Sequence, residues 1–187
     1  MNKRNKWFIG FVLSSCFFSS CGIIEINGYG SDIKKLTKEE RNYLQEFVAF
    51  NQTEPGYIYP INGEQLKTEI KKYPKALVYD FKSNCVSATC YPLSTFVRYA
   101  KEHNYKLFLI LNSYASLNET IDQQIKQPIF VMDHLYYQTN VRSKYSNRFI
   151  ADMLKGEEMQ ISKESYPSIY LFEEGKLVGF AEDLLKL

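Results

Sequence analysis

Five consecutive apolar residues, Leu107 to Leu111, constrain the fold of this chain more than any other feature. An apolar run without polar alternation is typical of a strand that is buried on both faces of a parallel sheet. Two further runs, Ala76 to Phe81 and Ile129 to Met132, predict strands of the same kind. Strands that alternate with helical patterns indicate an α/β domain with a mostly parallel central sheet.

Helical periodicity separates these strands. Apolar residues recur every three or four positions in five segments, and capping residues mark several of the starts. The predicted helices run from Thr37 to about Phe50, from Asn62 to Pro74, from Leu93 to His103, from Ser116 to Pro128 and from Val141 to Lys155, where Gly156 ends the last one. The pairs Thr37 with Glu40 and Ser116 with Glu119 each predict a capping box.

Two features predict the edges of the sheet. Tyr57 to Ile61 contains Pro60, which cannot donate a hydrogen bond to a central ladder, so this segment is expected to be an edge strand. The C-terminal part predicts a β-hairpin, with Ile169 to Phe172 and Leu177 to Phe180 as its strands. The expected fold is therefore a three-layer α/β/α domain with a central mixed sheet.

The N-terminus predicts export from the cytoplasm. Its first residues are basic, and the apolar run Trp7 to Leu13 is too short to span a bilayer as a mature helix. The small residues before Cys21 resemble a bacterial lipobox, in which the cysteine is lipidated and becomes the new N-terminus; Cys16 is the alternative acceptor, and an uncleaved apolar anchor is a third interpretation. We expect a protein of the cell envelope that is held to an inner or outer membrane, on the periplasmic side, by this lipid.

The chain is accordingly divided into four parts. Residues 1–20 are expected to form the signal peptide and residues 21–36 a tether, because that stretch lacks apolar periodicity. Residues 37–55 are expected to form an N-terminal helix that packs on the domain, and residues 56–187 the domain itself.

Composition and motifs exclude several classes of function. The net charge is +2 with acidic and basic residues interspersed, so nucleic acid is not an expected partner. The aromatic fraction of 16% is explained by packing. Phosphate-binding loops, Ser-His-Asp arrangements and helical His-x-x-x-His pairs do not occur in the sequence, so no cofactor is expected.

Cys85 and Cys90 are the only cysteines downstream of the signal region. They lie between a predicted strand and a predicted helix, and in an envelope compartment such a pair is expected to be oxidised at least part of the time. In a continuous helix, Cα atoms five positions apart would be about 8 to 9 Å distant, beyond the ~7 Å limit for a disulfide. At least one of the two must therefore lie outside a regular helix when the bridge forms.

The stretch Tyr166-Pro167-Ser168-Ile169-Tyr170-Leu171-Phe172, followed by the predicted turn and Leu177-Val178-Gly179, resembles the last part of the thioredoxin fold. The strand, cysteine loop and helix at Ala76 to His103 resemble its redox centre. The extra strand and helix between Ile129 and Lys155 are similar to an insertion in membrane-tethered thioredoxin-like proteins of the bacterial envelope, the branch of disulfide reductases and peroxiredoxin-like proteins. The resemblance extends from about Tyr57 to the C-terminus.

This resemblance implies roles for five residues. Cys85 would be the nucleophile, Cys90 would resolve the mixed disulfide, and Asp80 would relay a proton. Pro167 would be the cis-proline that faces the cysteines and positions the backbone of a client protein. Tyr166 is larger than the family's usual residue before that proline, and is expected to narrow the substrate groove or to cover the disulfide. The implied partners are thiols or disulfides of client proteins.

The cysteine spacing departs from the family pattern. Family enzymes carry Cys-x-x-Cys at the helix start, whereas four residues separate Cys85 from Cys90. Lys82 is a further candidate, since its charge could lower the thiol pKa of Cys85. A Pro-x-x-x-Thr-x-x-Cys arrangement, which the peroxiredoxins with a similar spacing need, is absent from the sequence, so peroxidase activity is not expected.

Two alternatives to thiol-disulfide exchange stay open. The first is a non-catalytic interaction module in which the Cys85 to Cys90 bridge only fastens the loop. The second is a copper carrier in which His134 joins the two cysteines as a third ligand.

Overall fold

The computed structural model describes residues 30–85, 90–157 and 166–186. This part of the chain contains five α-helices and six β-strands. In chain order they are α1 (Lys38–Arg41), β1 (Ile58–Ile61), α2 (Gly63–Ile70), β2 (Lys75–Phe81), α3 (Leu93–Glu102), β3 (Lys106–Leu111), α4 (Leu117–Ile121), β4 (Ile129–Met132), α5 (Arg142–Met153), β5 (Ile169–Glu173) and β6 (Lys176–Ala181).

All six strands belong to one mixed sheet, with the order β1-β4-β3-β2-β5-β6. The first four of these strands are parallel to one another, and β5 and β6 are antiparallel to their neighbours. The three apolar runs are β2, β3 and β4, which lie inside the sheet, and β1 with its proline is an edge strand. The mixed α/β fold, the parallel core of the sheet and the C-terminal hairpin are therefore confirmed.

Helices cover both faces of the sheet because side chains alternate along each strand. On one face, Val78 of β2 and Phe108 of β3 belong to a core cluster with residues of α2 and α5. On the other face, Leu77 and Leu109 belong to a cluster with residues of α3 and α4. The result is the expected three layers, and it places the cysteine loop and α5 on different faces at the carboxyl end of β2.

The N-terminal helix is much shorter than predicted. Its capping box is present, because Thr37 and Glu40 exchange side chain to backbone hydrogen bonds, but α1 ends at Arg41 instead of near Phe50. The next residues extend the sheet edge: Ile58 N–H donates to Tyr43 O at 2.8 Å, and Gln45 N–H donates to Ile58 O at 3.0 Å. Pairing with β1 replaces the helical hydrogen bonds, so the predicted helix over this stretch was wrong.

A second correction concerns α4. Ser116, the predicted cap, has a left-handed backbone with φ 54° and its side chain makes no capping hydrogen bond. Glu40 caps this helix instead, since its Oε1 accepts from Asn118 N–H at 3.2 Å. The helix ends at Ile121, well before Pro128. The capping hydrogen bond that was expected from Ser116 thus comes from a carboxylate of a distant segment.

Part of the predicted tether is packed on the domain. Gly30 forms a β-bridge with Val141, Tyr114 N–H donates to Ser31 O at 2.8 Å, and Leu36 is buried. Residues 30–36 therefore belong to the folded unit and not to a free tether. The predicted signal peptide and both candidate lipidation sites, Cys21 and Cys16, lie outside the described residues. Among the residues that are described, none of the helices is long and apolar enough to span a membrane.

Candidate functional site

The two cysteines form a disulfide in the loop between β2 and α3. Their Cα atoms are 5.7 Å apart, and neither residue lies in a helix, since α3 begins at Leu93. This confirms that the bridge forms outside regular helical geometry. Cys85 is exposed and Cys90 is partly exposed, so the disulfide can be reached from solvent. Residues 86–89 between them lie outside the described part of the chain.

Both ends of the cysteine loop are fastened to α4 or to the turn that follows it. On one side, the hydroxyl groups of Ser83 and Thr120 are 2.7 Å apart and share a hydrogen bond. On the other side, Leu93 N–H, the first amide of α3, donates to Gln123 Oε1 at 2.8 Å. These bonds position the disulfide at the carboxyl end of the sheet.

A pocket of about 220 Å³ brings the five predicted site residues together. Its lining includes Cys85, Cys90, Asp80, Tyr166 and Pro167. They come from three separate parts of the chain: the end of β2, the cysteine loop and the segment before β5. The sequence thus identified residues that the fold places around one cavity. A second pocket of about 310 Å³ borders the same disulfide, and its lining includes Glu119 of α4 and Gln123 of the turn after α4.

Among the titratable groups that line this cavity, Asp80 has the largest pKa shift. Its backbone N–H donates to Ser168 O at 2.8 Å, and its Oδ1 accepts from Asn112 Nδ2 at 3.1 Å. Removal from water raises the pKa of the carboxyl from 3.8 to about 7, although the Asn112 bond and the charges of Lys82 and Arg142 favour the ionised form. A group with this pKa can both accept and donate a proton near neutral pH.

Pro167 is buried beside the pocket, but the expected cis isomer is not formed. No peptide bond of the described residues is cis, including the one between Tyr166 and Pro167. The trans bond is the ordinary ground state even before proline. It leads the chain directly into β5, where Ser168 O pairs with the backbone of Asp80. Tyr166 is partly buried against the core and lines the pocket.

A further pocket of about 330 Å³ adjoins this cavity. Both pockets are lined by Asp80, Lys82, Asn112 and Tyr166, so the two pockets are neighbours. The second one extends along the N-terminal half of α5, which contributes Arg142, Ser143, Ser146 and Asn147. We refer to this second part as the α5 pocket.

Three residues of this region were missed by the sequence interpretation: Asn112, Arg142 and Ser146. Asn112 directly follows β3, and polar residues at the carboxyl ends of parallel strands meet at one edge of the sheet, so that rule could have found it. Arg142 and Ser146 are one helical turn apart on α5, but nothing in the sequence shows which face of that helix turns towards Asp80.

His134 is not placed to join the cysteines. Its ring is buried between Tyr114 and Tyr145, with ring centroids 6.3 and 6.2 Å away, and burial lowers its pKa. It lines neither of the two pockets that contain the disulfide. Within the described ranges, no three His, Cys, Asp or Glu side chains are grouped so that they could hold a metal ion. The structure therefore does not bring His134 together with the two cysteines.

Comparisons with protein-family models, with curated proteins and with solved structures each found no match. The function is therefore inferred from the chemistry and geometry of this pocket.

Proposed function

We propose that this protein is a thioredoxin-like thiol-disulfide oxidoreductase that acts on disulfide-bonded client proteins of the cell envelope, where a lipid on Cys21 anchors it. The observation that carries the proposal is the shared pocket of Cys85, Cys90 and Asp80. Thiol-disulfide exchange needs an accessible pair of cysteines and a group that can transfer protons near neutral pH. The solvent-accessible disulfide and the neighbouring carboxyl group with its near-neutral pKa can fill these two roles.

The topology supports a thioredoxin-like assignment. A parallel strand leads into a cysteine loop and then into a helix, and an antiparallel hairpin follows a proline that lines the cysteine pocket. The presence of an additional strand β4 and helix α5 between β3 and β5 also supports the assignment. The trans bond before Pro167 is a departure from that resemblance.

In the proposed cycle, the reduced protein transfers two electrons to its client. The Cys85 thiolate attacks one sulfur of the client disulfide, which forms a mixed disulfide and releases the first client thiolate. The Cys90 thiolate then attacks the Cys85 sulfur, which forms the Cys85–Cys90 bond seen here and releases the second client thiolate. The two client thiolates take up protons, and an external dithiol returns the protein to its reduced form.

Asp80 serves the resolving step. The Cys90 thiol must lose its proton before it can attack, and a carboxylate in the same pocket can accept that proton. The protonated Asp80 can then return it to the departing client thiolate. Because its pKa is about 7, both protonation states are populated at neutral pH. Cys85 is the better nucleophile towards a large client because it is the more exposed of the two cysteines.

One observation favours a second candidate function, a non-catalytic interaction module. The disulfide lies in the loop before α3, and Gln123 occupies the first amide of that helix. A thiolate at Cys85 would therefore receive less help from the helix amides than in the family pattern. In this alternative the bridge stabilises the loop by about 2 kcal/mol and transfers no electrons.

Serine substitutions at the two cysteines separate these functions. We would measure dithiothreitol-driven reduction of a fluorogenic peptide disulfide by the wild-type protein, by Cys85→Ser and by Cys90→Ser. The proposal expects turnover above the dithiothreitol background only for the wild type. When the reduced Cys90→Ser variant is freed of dithiothreitol and mixed with the peptide disulfide, Cys85 should show a peptide-sized mass increase. Turnover at background level in the wild type, together with normal folding of both variants by circular dichroism, would leave the interaction module as the better description.

A further inference from the structure

The α5 pocket contains two buried polar atoms that have no partner within the described chain. Asn112 is only 8% exposed, and its Oδ1 makes no hydrogen bond; Ser146 Oγ is also buried and makes none. Both residues line the α5 pocket. Buried polar atoms in folded proteins nearly always have partners, so these two atoms are available to pair with a group that enters the cavity.

The orientation of Asn112 is fixed by its other contacts. Its Nδ2 donates to Asp80 Oδ1 at 3.1 Å, its backbone oxygen accepts from the Tyr145 hydroxyl at 2.6 Å, and its backbone N–H donates to Phe81 O at 3.1 Å. The unpaired Oδ1 is therefore held in place as a hydrogen-bond acceptor. An acceptor of this kind matches a donor such as the N–H of a peptide backbone.

The charges around the α5 pocket are mostly positive. Lys82 and Arg142 line it, and Asp80 is its single acidic residue. In the part of the chain that the structure describes, the ion pairs involve neither Lys82 nor Arg142. The pocket also lies at the start of α5, a helix of 12 residues whose N-cap Val141 makes no side-chain hydrogen bond. The positive end of the helix dipole adds to the attraction for a negative group.

We propose that the α5 pocket binds a glutamate or aspartate side chain of the client polypeptide, close in sequence to the cysteine that undergoes exchange. The carboxylate lies between Arg142 and Lys82, a client backbone N–H donates to Asn112 Oδ1, and Ser146 Oγ pairs with a neighbouring polar group of the client. Asp80, Lys82, Asn112 and Tyr166 line both pockets, so this carboxylate site is next to the disulfide pocket, which suits an extended chain that contacts both. The inference rests on the proposed function, because it names the class of client that the redox pocket receives.

Binding to the oxidised protein tests this inference without any electron transfer. The probes are short peptides with blocked ends and a neutral fluorophore, in which serine replaces the client cysteine and either Glu or Gln lies two residues away on each side. Fluorescence anisotropy at about pH 6, where Asp80 is mostly protonated, should show about tenfold tighter binding of the Glu peptide, the size expected for one charge-assisted contact. The preference should decrease as salt is added.

Three variants locate the site. Arg142→Gln should remove the preference for the Glu peptide, and Ser146→Ala should weaken the binding of both peptides. Lys144→Gln is the matched control, because Lys144 is an exposed residue of α5 that does not line the α5 pocket, and it should keep the preference. Equal binding of the Glu and Gln peptides by the wild type, or a preference that survives Arg142→Gln, would overturn the inference.

Two further measurements separate this inference from its alternatives. A Gln peptide with a free C-terminus carries its only carboxylate on the main chain, and tight binding of this peptide would overturn the assignment to an acidic side chain. Failure of the proposed function is a different result: the fluorogenic assay described above would then show no turnover, whatever the anisotropy measurements give.

Discussion

Asn112 donates a hydrogen bond from its Nδ2 to Oδ1 of Asp80 over 3.1 Å, and this bond joins the carboxyl ends of β3 and β2. A donor of this kind stabilises the carboxylate and favours a low pKa. The pKa of Asp80 is nevertheless about 7, because the cost of removing the charge from water is larger than the contribution of the bond. Burial therefore decides the protonation state of the residue that we assign to proton transfer.

The first prediction concerns how the free energy of unfolding depends on pH. The pKa of Asp80 is higher in the folded state than the ordinary value of 3.8, so the folded protein binds the proton more tightly and loses stability as pH rises from about 4 to about 7. Asp80→Asn removes this loss and retains an oxygen acceptor for Asn112. The variant should be more stable than wild type at pH 8.5 by up to about 4 kcal/mol, from 1.36 kcal/mol per pKa unit, and should show no such gain at pH 4. Urea unfolding at both pH values measures this.

The control for this prediction is Asp122→Asn, which changes an exposed carboxylate at the end of α4. Such a surface change is expected to alter stability by less than about 0.5 kcal/mol. A gain at pH 8.5 that is equal for the two variants would mean that the effect comes from net charge and not from the burial of Asp80.

The fold was predictable where a local pattern and the tertiary structure agree. The apolar run Leu107 to Leu111 became β3 because a strand between two others must be apolar on both faces. Gly156 ends the last helix region with φ 83°, a conformation that suits glycine. The prediction of a helix after Arg41 was wrong because the local pattern and the tertiary structure disagree there. Its apolar spacing fits a helix, but hydrogen bonds to Ile58 from a distant part of the sequence outweigh that local preference.

The sequence predicted residues of the pocket beside the disulfide but not those of the α5 pocket. Asp80 and the cysteines share one strand and the loop that follows it, so a short sequence window contains them. Asn112 and Arg142 come from β3 and α5, and only the sheet order and the packing of α5 bring them to Asp80. Side-chain periodicity gives the apolar face of α5, but it does not show which polar residues of that helix border a cavity.

The second prediction concerns the support of Asn112. The hydroxyl of Tyr145, a fully buried residue, donates to Asn112 O at 2.6 Å. Tyr145→Phe leaves that buried carbonyl without this donor, which should lower the free energy of unfolding by about 1 to 3 kcal/mol. Tyr136→Phe is the matched control, since Tyr136 is 48% exposed and its hydroxyl lies 3.5 Å from Glu64 Oε2. Equal losses of stability in urea unfolding would contradict a special role of the Tyr145 bond.

The third prediction concerns the contact between α2 and α5, which holds α5 against the site. A Cβ added at Gly63 would overlap Phe149 O and lie 2.8 Å from Asp152 Cβ and 2.9 Å from Met153 N. Because these obstacles include helix backbone, they cannot move aside locally. Gly63→Ala should destabilise the protein by about 1 to 3 kcal/mol or more.

Gly179→Ala is the control for this change, because the added Cβ would lie at an ordinary contact distance of 3.8 Å from Leu171 Cδ1. Thermal unfolding of both variants measures the difference. A Gly63→Ala variant as stable as wild type would show that α5 can shift away from α2, and the α5 pocket would then change shape with it.

The last prediction decides whether the disulfide is poised for exchange. Bridges in exchange enzymes have reduction potentials between about −120 and −270 mV, whereas structural bridges of secreted proteins lie below about −300 mV. The exposure of Cys85 and the loop position of both cysteines place this bridge among the accessible ones, so we expect a potential in the range of the enzymes. Alkylation and mass measurement across a series of redox buffers gives the value. A potential below about −300 mV would support the interaction module, because the bridge would then stay closed in the presence of ordinary dithiol donors.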